Sequence, residues 1–119
     1  MKLRHIELHT TRMAEASEFY QALGLRVVDK GSHHVDLACD GDDGGSVRLL
    51  RFAVAPAVAG RPIVYFECLD VDERYRRLSD AGLKSAFSPI TKAGGRREAG
   101  FVDPDGQLIG IYQVVTAVA

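Results

Sequence analysis

Tryptophan is absent from this 119-residue sequence, cysteine and methionine occur twice each, and proline occurs four times. The two cysteines show no CxxC spacing, which argues against a disulfide framework or a thiolate metal site. Cys39 and Cys68 read as reduced, mostly buried thiols of a cytoplasmic protein. No apolar run approaches the ~20 residues that a membrane span needs. The opening Met1-Lys2-Leu3-Arg4-His5 leads into strand alternation and not into the apolar stretch of a secretion signal. An excess of one charge is also missing: 15 Lys plus Arg face 16 Asp plus Glu. That balance argues against a nucleic-acid binder, which would show a basic stripe, and equally against an acidic trap for cations. No nucleic-acid partner, no membrane partner and a cytoplasmic location are therefore expected.

What is present suits one globular domain. Hydrophobic residues make up 46% and charged residues 26% of the chain, enough to bury a core at this length. An internal repeat organises it. One helical pattern runs from about Arg12 to Leu23 with Met13, Ala16, Phe19, Tyr20 and Leu23 on one face, and exits at Gly24. A second runs from about Val71 to Ala81 with Val71, Tyr75 and Leu78, and exits at Gly82. Asp70 and Glu73 fit an N-cap with a reciprocal partner. The exits Leu23-Gly24-Leu25 and Ala81-Gly82-Leu83 lie 82 − 24 = 58 residues apart, and each calls for a left-handed glycine.

Strand patterns flank each helix. They are Leu3–Thr10, Leu25–Lys30, His33–Cys39 and Val47–Val54 in the first half. In the second half they are Ile63–Leu69, Lys84–Phe87, Arg97–Val102 and Gln107–Val114. Asp40 to Ser46 and Asp103-Pro104-Asp105-Gly106 read as turns, and Ala55–Gly60 as the joining segment. The expected class is α+β, with mostly antiparallel sheets and one helix covering each half. The expected organisation is a single domain, 1–119, with duplicated modules at 1–57 and 62–119.

Alternation splits the strands into faces. His5, Glu7 and His9 oppose Ile6 and Leu8. Ile63, Tyr65 and Glu67 oppose Val64, Phe66 and Cys68. Leu108, Gly110 and Tyr112 oppose Ile109 and Ile111. The polar sets either face solvent or line one concavity. Residues two apart on a strand stand ~7 Å apart, so His5 and Glu7 could converge on one ion or proton, whereas His5 and His9 could not share a metal. His33 and His34 point to opposite sides, so at most one of them can serve a cavity, and a surface role is the expected one. Lys92, Arg96 and Arg97 around Gly94-Gly95 read as a solvated basic loop, or more sharply as a clamp for an anion or a mobile lid. Asp40, Asp42 and Asp43 lack the spacing of a calcium loop.

These residues together resemble the vicinal oxygen chelate superfamily, the glyoxalase, bleomycin-resistance and extradiol-dioxygenase fold. The resemblance rests on His5-Ile6-Glu7-Leu8, on Glu18-Phe19-Tyr20 with Leu23-Gly24-Leu25, and on Phe66-Glu67-Cys68. It also rests on Ala81-Gly82-Leu83 and on Gly100-Phe101-Val102-Asp103-Pro104-Asp105-Gly106. It implies paired βαβββ modules with a mixed sheet curled around a cavity, and a homodimer of bacterial type. The family's metal enzymes place ligands on the first, fourth, fifth and eighth strands. Here those positions fall on His5, on Leu49 or Leu50, on Ile63 and on Gly110. His5 alone could ligate, so the metal-free branch is expected, with no cofactor.

The resemblance then implies a site lined by His5, Glu7, His9, Ile63, Tyr65, Glu67, Leu108 and Tyr112. Its first functional reading is binding of a small, largely apolar or aromatic molecule. The alternative is a metal-independent isomerase, epimerase or lyase acting next to a carbonyl, with His5, Glu7, Tyr65 and Glu67 as catalytic groups. A further alternative is a metal-dependent lyase or dioxygenase with a site relocated to His5, Glu7 and Glu67. Whether the protein is an enzyme stays open at this point.

Overall fold

The computed structural model describes residues 3–41, 44–53 and 62–115. Asp42, Asp43, Val54, the joining segment Ala55–Gly60 and the chain after 115 lie outside the described residues. The chain divides into two compact units, Met1–Ala57 and Val58–Ala119. The first holds β1 (His5–Thr10), α1 (Met13–Leu23), β2 (Arg26–Lys30), β3 (His34–Ala38) and β4 (Ser46–Arg51). The second holds β5 (Val64–Glu67), α2 (Val71–Asp80), β6 (Lys84–Lys92), β7 (Arg96–Val102) and β8 (Leu108–Val114). Each unit is thus a βαβββ module with its own four-stranded mixed sheet, in the orders β1-β4-β3-β2 and β5-β8-β7-β6. The outer pairs β1–β4 and β5–β8 are parallel, and the other ladders are antiparallel.

The glycine exits behave as their repetition predicts. Gly24 and Gly82 have φ of 117° and 94°. In both, the residue after the glycine donates back into the helix, Leu25 N to Tyr20 O and Leu83 N to Leu78 O, each at 3.1 Å. That closes the free carbonyls of the last turn and reverses the chain toward the sheet. The N-cap of α2 is half of what the sequence suggests. Asp70 Oδ1 accepts from Glu73 N at 3.1 Å, but the Glu73 carboxylate turns instead to Arg76, at 2.6 and 3.1 Å. An ion pair one turn along the helix outcompetes the return bond to the cap.

In the first unit Ala16, Phe19, Tyr20 and Leu23 are buried, as are Val35, Leu37, Val47 and Leu49 on the facing side of the sheet. In the second unit Val71 and Leu78 meet a sheet face of Ala99, Phe101, Ile109 and Ile111. With so few apolar positions, α2 is also tied by polar bonds. Gln113 Oε1 accepts from Val71 N at 2.7 Å, Arg97 lays two donors on Asp72 at 2.7 and 2.8 Å, and the Tyr75 and Ser85 hydroxyls meet at 2.7 Å.

Strand limits differ from the sequence reading where composition misleads. β5 covers only Val64–Glu67, so Ile63, Cys68 and Leu69 fall outside it. β6 does not stop at Phe87 but runs through Pro89 to Lys92, with register shifts on both sides of Phe87. A proline is tolerated there because β6 is an edge strand and lacks a neighbour on one side. Cys39 and Cys68 are free, half-buried thiols whose pKa burial pushes up. No helix among the described residues is long and apolar enough to cross a membrane.

The turn before β8 is held by one side chain. Asp103 is buried, and its Oδ1 accepts from the backbone N–H of Asp105 at 2.9 Å and of Gln107 at 2.8 Å. Asp103→Ala should lower the unfolding free energy by about 2 kcal/mol, since one buried and one part-buried donor lose their acceptor. Asp103→Asn, which keeps the acceptor oxygen, should lose less than half of that in the same urea titration.

Candidate functional site

Each sheet has one face against its helix and one face that its helix leaves open. On the first sheet the open face carries three rows set by register: His5–Ser46–Ala38, Glu7–Arg48–Asp36–Asp29 and His9–Leu50–His34. The middle row holds it together. Arg48 Nε donates to Asp36 Oδ1 at 2.7 Å and Arg48 Nη2 to Asp36 Oδ2 at 2.8 Å, a two-point fork. These bonds hold the Asp36 carboxyl below its ordinary pKa. His34 Nε2 stands 3.0 Å from Asp29 Oδ2 and 4.0 Å from Asp36 Oδ2, and its hydrogen bond lowers Asp29 likewise. His5 Nδ1 meets Ser46 Oγ at 2.7 Å while its Nε2 lies 3.9 Å from Glu7 Oε1. The His9 ring stacks on Phe52 at 4.0 Å. His5, Glu7 and His9 therefore share a face, as alternation requires, and His34 shares it with them.

On the second sheet the open face is built differently. Its rows are Leu108–Val102–Lys84, Tyr65–Gly110–Gly100–Phe87, Glu67–Tyr112–Glu98–Ile90 and Arg96 beside Lys92. The two neighbouring glycines are the key to it. A Cβ on Gly110 would run into the Tyr65 ring, and one on Gly100 would run into the Phe87 ring. Both rings therefore lie down over the middle strands, one from each edge. Tyr112 stands edge-on to Tyr65 at 6.4 Å. Arg96 caps this group, its guanidinium carbon 3.8 Å from the Tyr112 centroid and 5.2 Å from that of Tyr65.

Beneath them Glu98 is buried, at 7% side-chain exposure, with Lys92 Nζ 2.9 Å from Oε1 and Arg96 Nε 3.4 Å from Oε2. The Lys92 ammonium beside Oε1, helped by the nearby Tyr65 hydroxyl, holds the Glu98 carboxyl below its ordinary pKa against the opposing effect of burial. Burial, and the nearby Glu98 carboxylate, push the Tyr65 phenol up.

Of the residues that the sequence singles out, Tyr65, Glu67, Leu108 and Tyr112 all take this face, while Ile63 stands half-exposed just ahead of β5. The expected basic loop is instead a tight turn between β6 and β7. Of its cations, Arg97 is drawn to Asp72 on the helix side, and only Lys92 and Arg96 reach the open face. Sequence reasoning missed Asp29, Asp36, Arg48, Phe87 and Glu98. The alternations Ser46-x-Arg48-x-Leu50, His34-x-Asp36 and Arg96-x-Glu98-x-Gly100 carried the signal for most of them. Phe87 was hidden by the irregular register of β6.

Two βαβββ units, each with a parallel outer pair and one helix on one face, define a duplicated α+β class. The chain belongs to the Glyoxalase/Bleomycin resistance protein/Dioxygenase superfamily, whose profile matches residues 2–111. Among solved structures it is similar to a glyoxalase/bleomycin resistance protein/dioxygenase from Nocardioides, at 20% identity and TM-score 0.77, over 99% of this chain and 86% of that one. It is similar to a bleomycin resistance determinant encoded on the transposon Tn5, at 21% identity and TM-score 0.76, over 95% and 98% of the two chains. It is also similar to lactoylglutathione lyase from Agrobacterium tumefaciens, at 19% identity and TM-score 0.75, over 94% and 92%. At such identities the likeness is one of fold. No curated protein matches the sequence.

The ladder also revises the fourth-strand position. Gly110 of β8 pairs with Tyr65, and the 58-residue offset carries Tyr65 onto Glu7, whose partner on β4 is Arg48. Arg48, not Leu49 or Leu50, is thus the β4 counterpart of Gly110, and Leu49 is buried on the helix side. The four family positions hold His5, Arg48, Ile63 and Gly110. A guanidinium repels a cation, an alkyl chain cannot ligate, and the space above Gly110 is filled by the Tyr65 ring. These residues do not fit the family's metal. The Asp29, His34 and Asp36 carboxylate and imidazole atoms lie within 4.8 Å of one another, but the Arg48 fork already engages both oxygens of Asp36.

Two tests follow from this geometry. Gly110→Val should cost about 1–3 kcal/mol in chemical denaturation, because the new side chain meets a seated ring. The same change should cost less in a Tyr65→Ala background, a coupling that a double-mutant cycle reads directly. The second test uses Glu98. A carboxyl whose folded pKa is depressed contributes stability above its ordinary value of 4.5 and loses it as pH falls through the depressed value. The stability difference between wild type and Glu98→Gln should therefore be largest above pH ~5 and shrink toward pH ~3.

Proposed function

We propose that the protein binds a small, flat, largely apolar or aromatic molecule on the open face of its second sheet, without a metal at the family's position. One observation carries this reading: the Tyr65 and Phe87 rings lie down over Gly110 and Gly100, beside Tyr112, and make an aromatic floor. Aromatic surface with a few placed polar groups is the usual make-up of a small-molecule site. Flat partners gain most from it, through offset stacking as well as burial of apolar area. Family membership supports the reading, since a bleomycin resistance determinant shares the fold.

A second reading rests on the first sheet. His5 is held at Nδ1 by Ser46 and faces Glu7 with Nε2, the arrangement of an imidazole general base with a carboxylate beside it. It supports a metal-independent isomerase, epimerase or lyase working next to a carbonyl. Unchanged turnover in His5→Ala and Glu7→Gln would remove it.

The binding reading is tested with a naphthalene-based fluorescent probe. Phe87→Ala and Tyr112→Ala should each weaken its binding about tenfold, roughly the value of one lost aromatic contact with its buried area. Treatment with EDTA should leave the affinity unchanged. Loss of binding on chelation, or undiminished binding in both variants, would overturn the proposal.

A further inference from the structure

Arg96 differs from its neighbours in how its charge is met. Arg48, Arg76 and Arg97 each place two donors on one carboxylate, those of Asp36, Glu73 and Asp72. The Arg96 guanidinium makes no hydrogen bond among the described residues. Its Nε is buried and stands 3.4 Å from Glu98 Oε2 without the alignment of a bond. It is instead held by ring faces, those of Tyr112 and Tyr65. Such contacts act on the faces of the guanidinium and leave its N–H edge open. The side chain is 42% exposed although Nε is buried, so the fork on offer is the Nη1–Nη2 end.

The local charge points the same way. Glu98 is the carboxylate of this group, with Lys92 Nζ 2.9 Å from Oε1 and Arg96 Nε 3.4 Å from Oε2. Lys92 and Arg96 thus share one carboxylate, which leaves one positive charge in excess beside the rings. Glu67 shares the row but lies beyond Tyr112, on the edge strand. A planar donor fork, fixed on aromatic rings at the margin of an aromatic floor, matches a planar oxyanion attached to a ring.

We propose that the molecule bound on this face is an aromatic carboxylate or a similar planar oxyanion, its oxygens on the N–H edge of Arg96 and its ring on the Tyr65–Phe87 floor. This rests on the binding reading above and assigns the chemical class of its ligand. Arg96 is then a specificity-determining residue, and the aromatic side chains supply the part of the affinity that is blind to charge.

The experiment compares 2-naphthoate with 2-naphthalenemethanol, an uncharged probe of the same shape, by calorimetry on the full chain. The wild type should bind the carboxylate about tenfold or more tightly than the alcohol. Arg96→Met should abolish that preference by weakening the carboxylate alone. Arg96→Lys keeps the cation but not the fork, so it should retain only part of the preference. It also decides the matter if the methionine variant does not fold by circular dichroism. Equal binding of both probes by the wild type, or a full preference surviving in Arg96→Lys and Arg96→Met, would overturn the anion assignment and leave the binding reading standing. Failure of both probes to bind would overturn the two together.

Discussion

The missing side chains at Gly100 and Gly110 govern the second sheet. They are directly paired across β7 and β8, and the empty row they make is filled from both edges by the rings of Tyr65 and Phe87. Everything else on that face follows. Tyr112 meets Tyr65 edge-on, Arg96 settles on both, and Glu98 sits low beneath them, where Lys92 neutralises it. In the first module the same lattice carries Glu7, Arg48, Asp36 and Asp29, and charge pairing takes the place of ring contact. One backbone plan thus supports an aromatic face in one copy and an ionic face in the other. The helix-side residues stay apolar in both.

The frame was legible because it depends on patterns that survive as sequence. The two glycine exits at the same offset, the helical periods and the Asp103 turn all act locally, through backbone geometry that few residues allow. Alternation correctly put His5, Glu7 and His9 on one face, and Tyr65, Glu67 and Tyr112 on another. The site's make-up was less legible. Arg48 and Asp36 meet across a ladder whose register no local pattern states, and the fourth-strand position was accordingly placed at Leu49 or Leu50. Phe87 stands between two irregularities of β6, so counting by twos from either side misses it. Arg96 and Arg97 look alike as neighbours in a basic turn, and only the strand they belong to sends one to the rings and the other to Asp72.

The middle row of each open face differs in how it treats a cation. On the eighth strand there is a glycine under a ring, and its counterpart on the fourth strand is an arginine locked to an aspartate. Each arrangement disfavours a cation by its own means, one by occupying the space and the other by its charge.

The Arg48–Asp36 fork also acts on the chain before any ligand arrives. A slip of one residue between β3 and β4 would turn Arg48 into the apolar layer beneath α1 and bring Leu49 out. An unpaired guanidinium in that layer would be far more costly than a misplaced methyl group. The pair thereby makes neighbouring alignments of the first sheet poor competitors, and acts as a proofreading device for strand register.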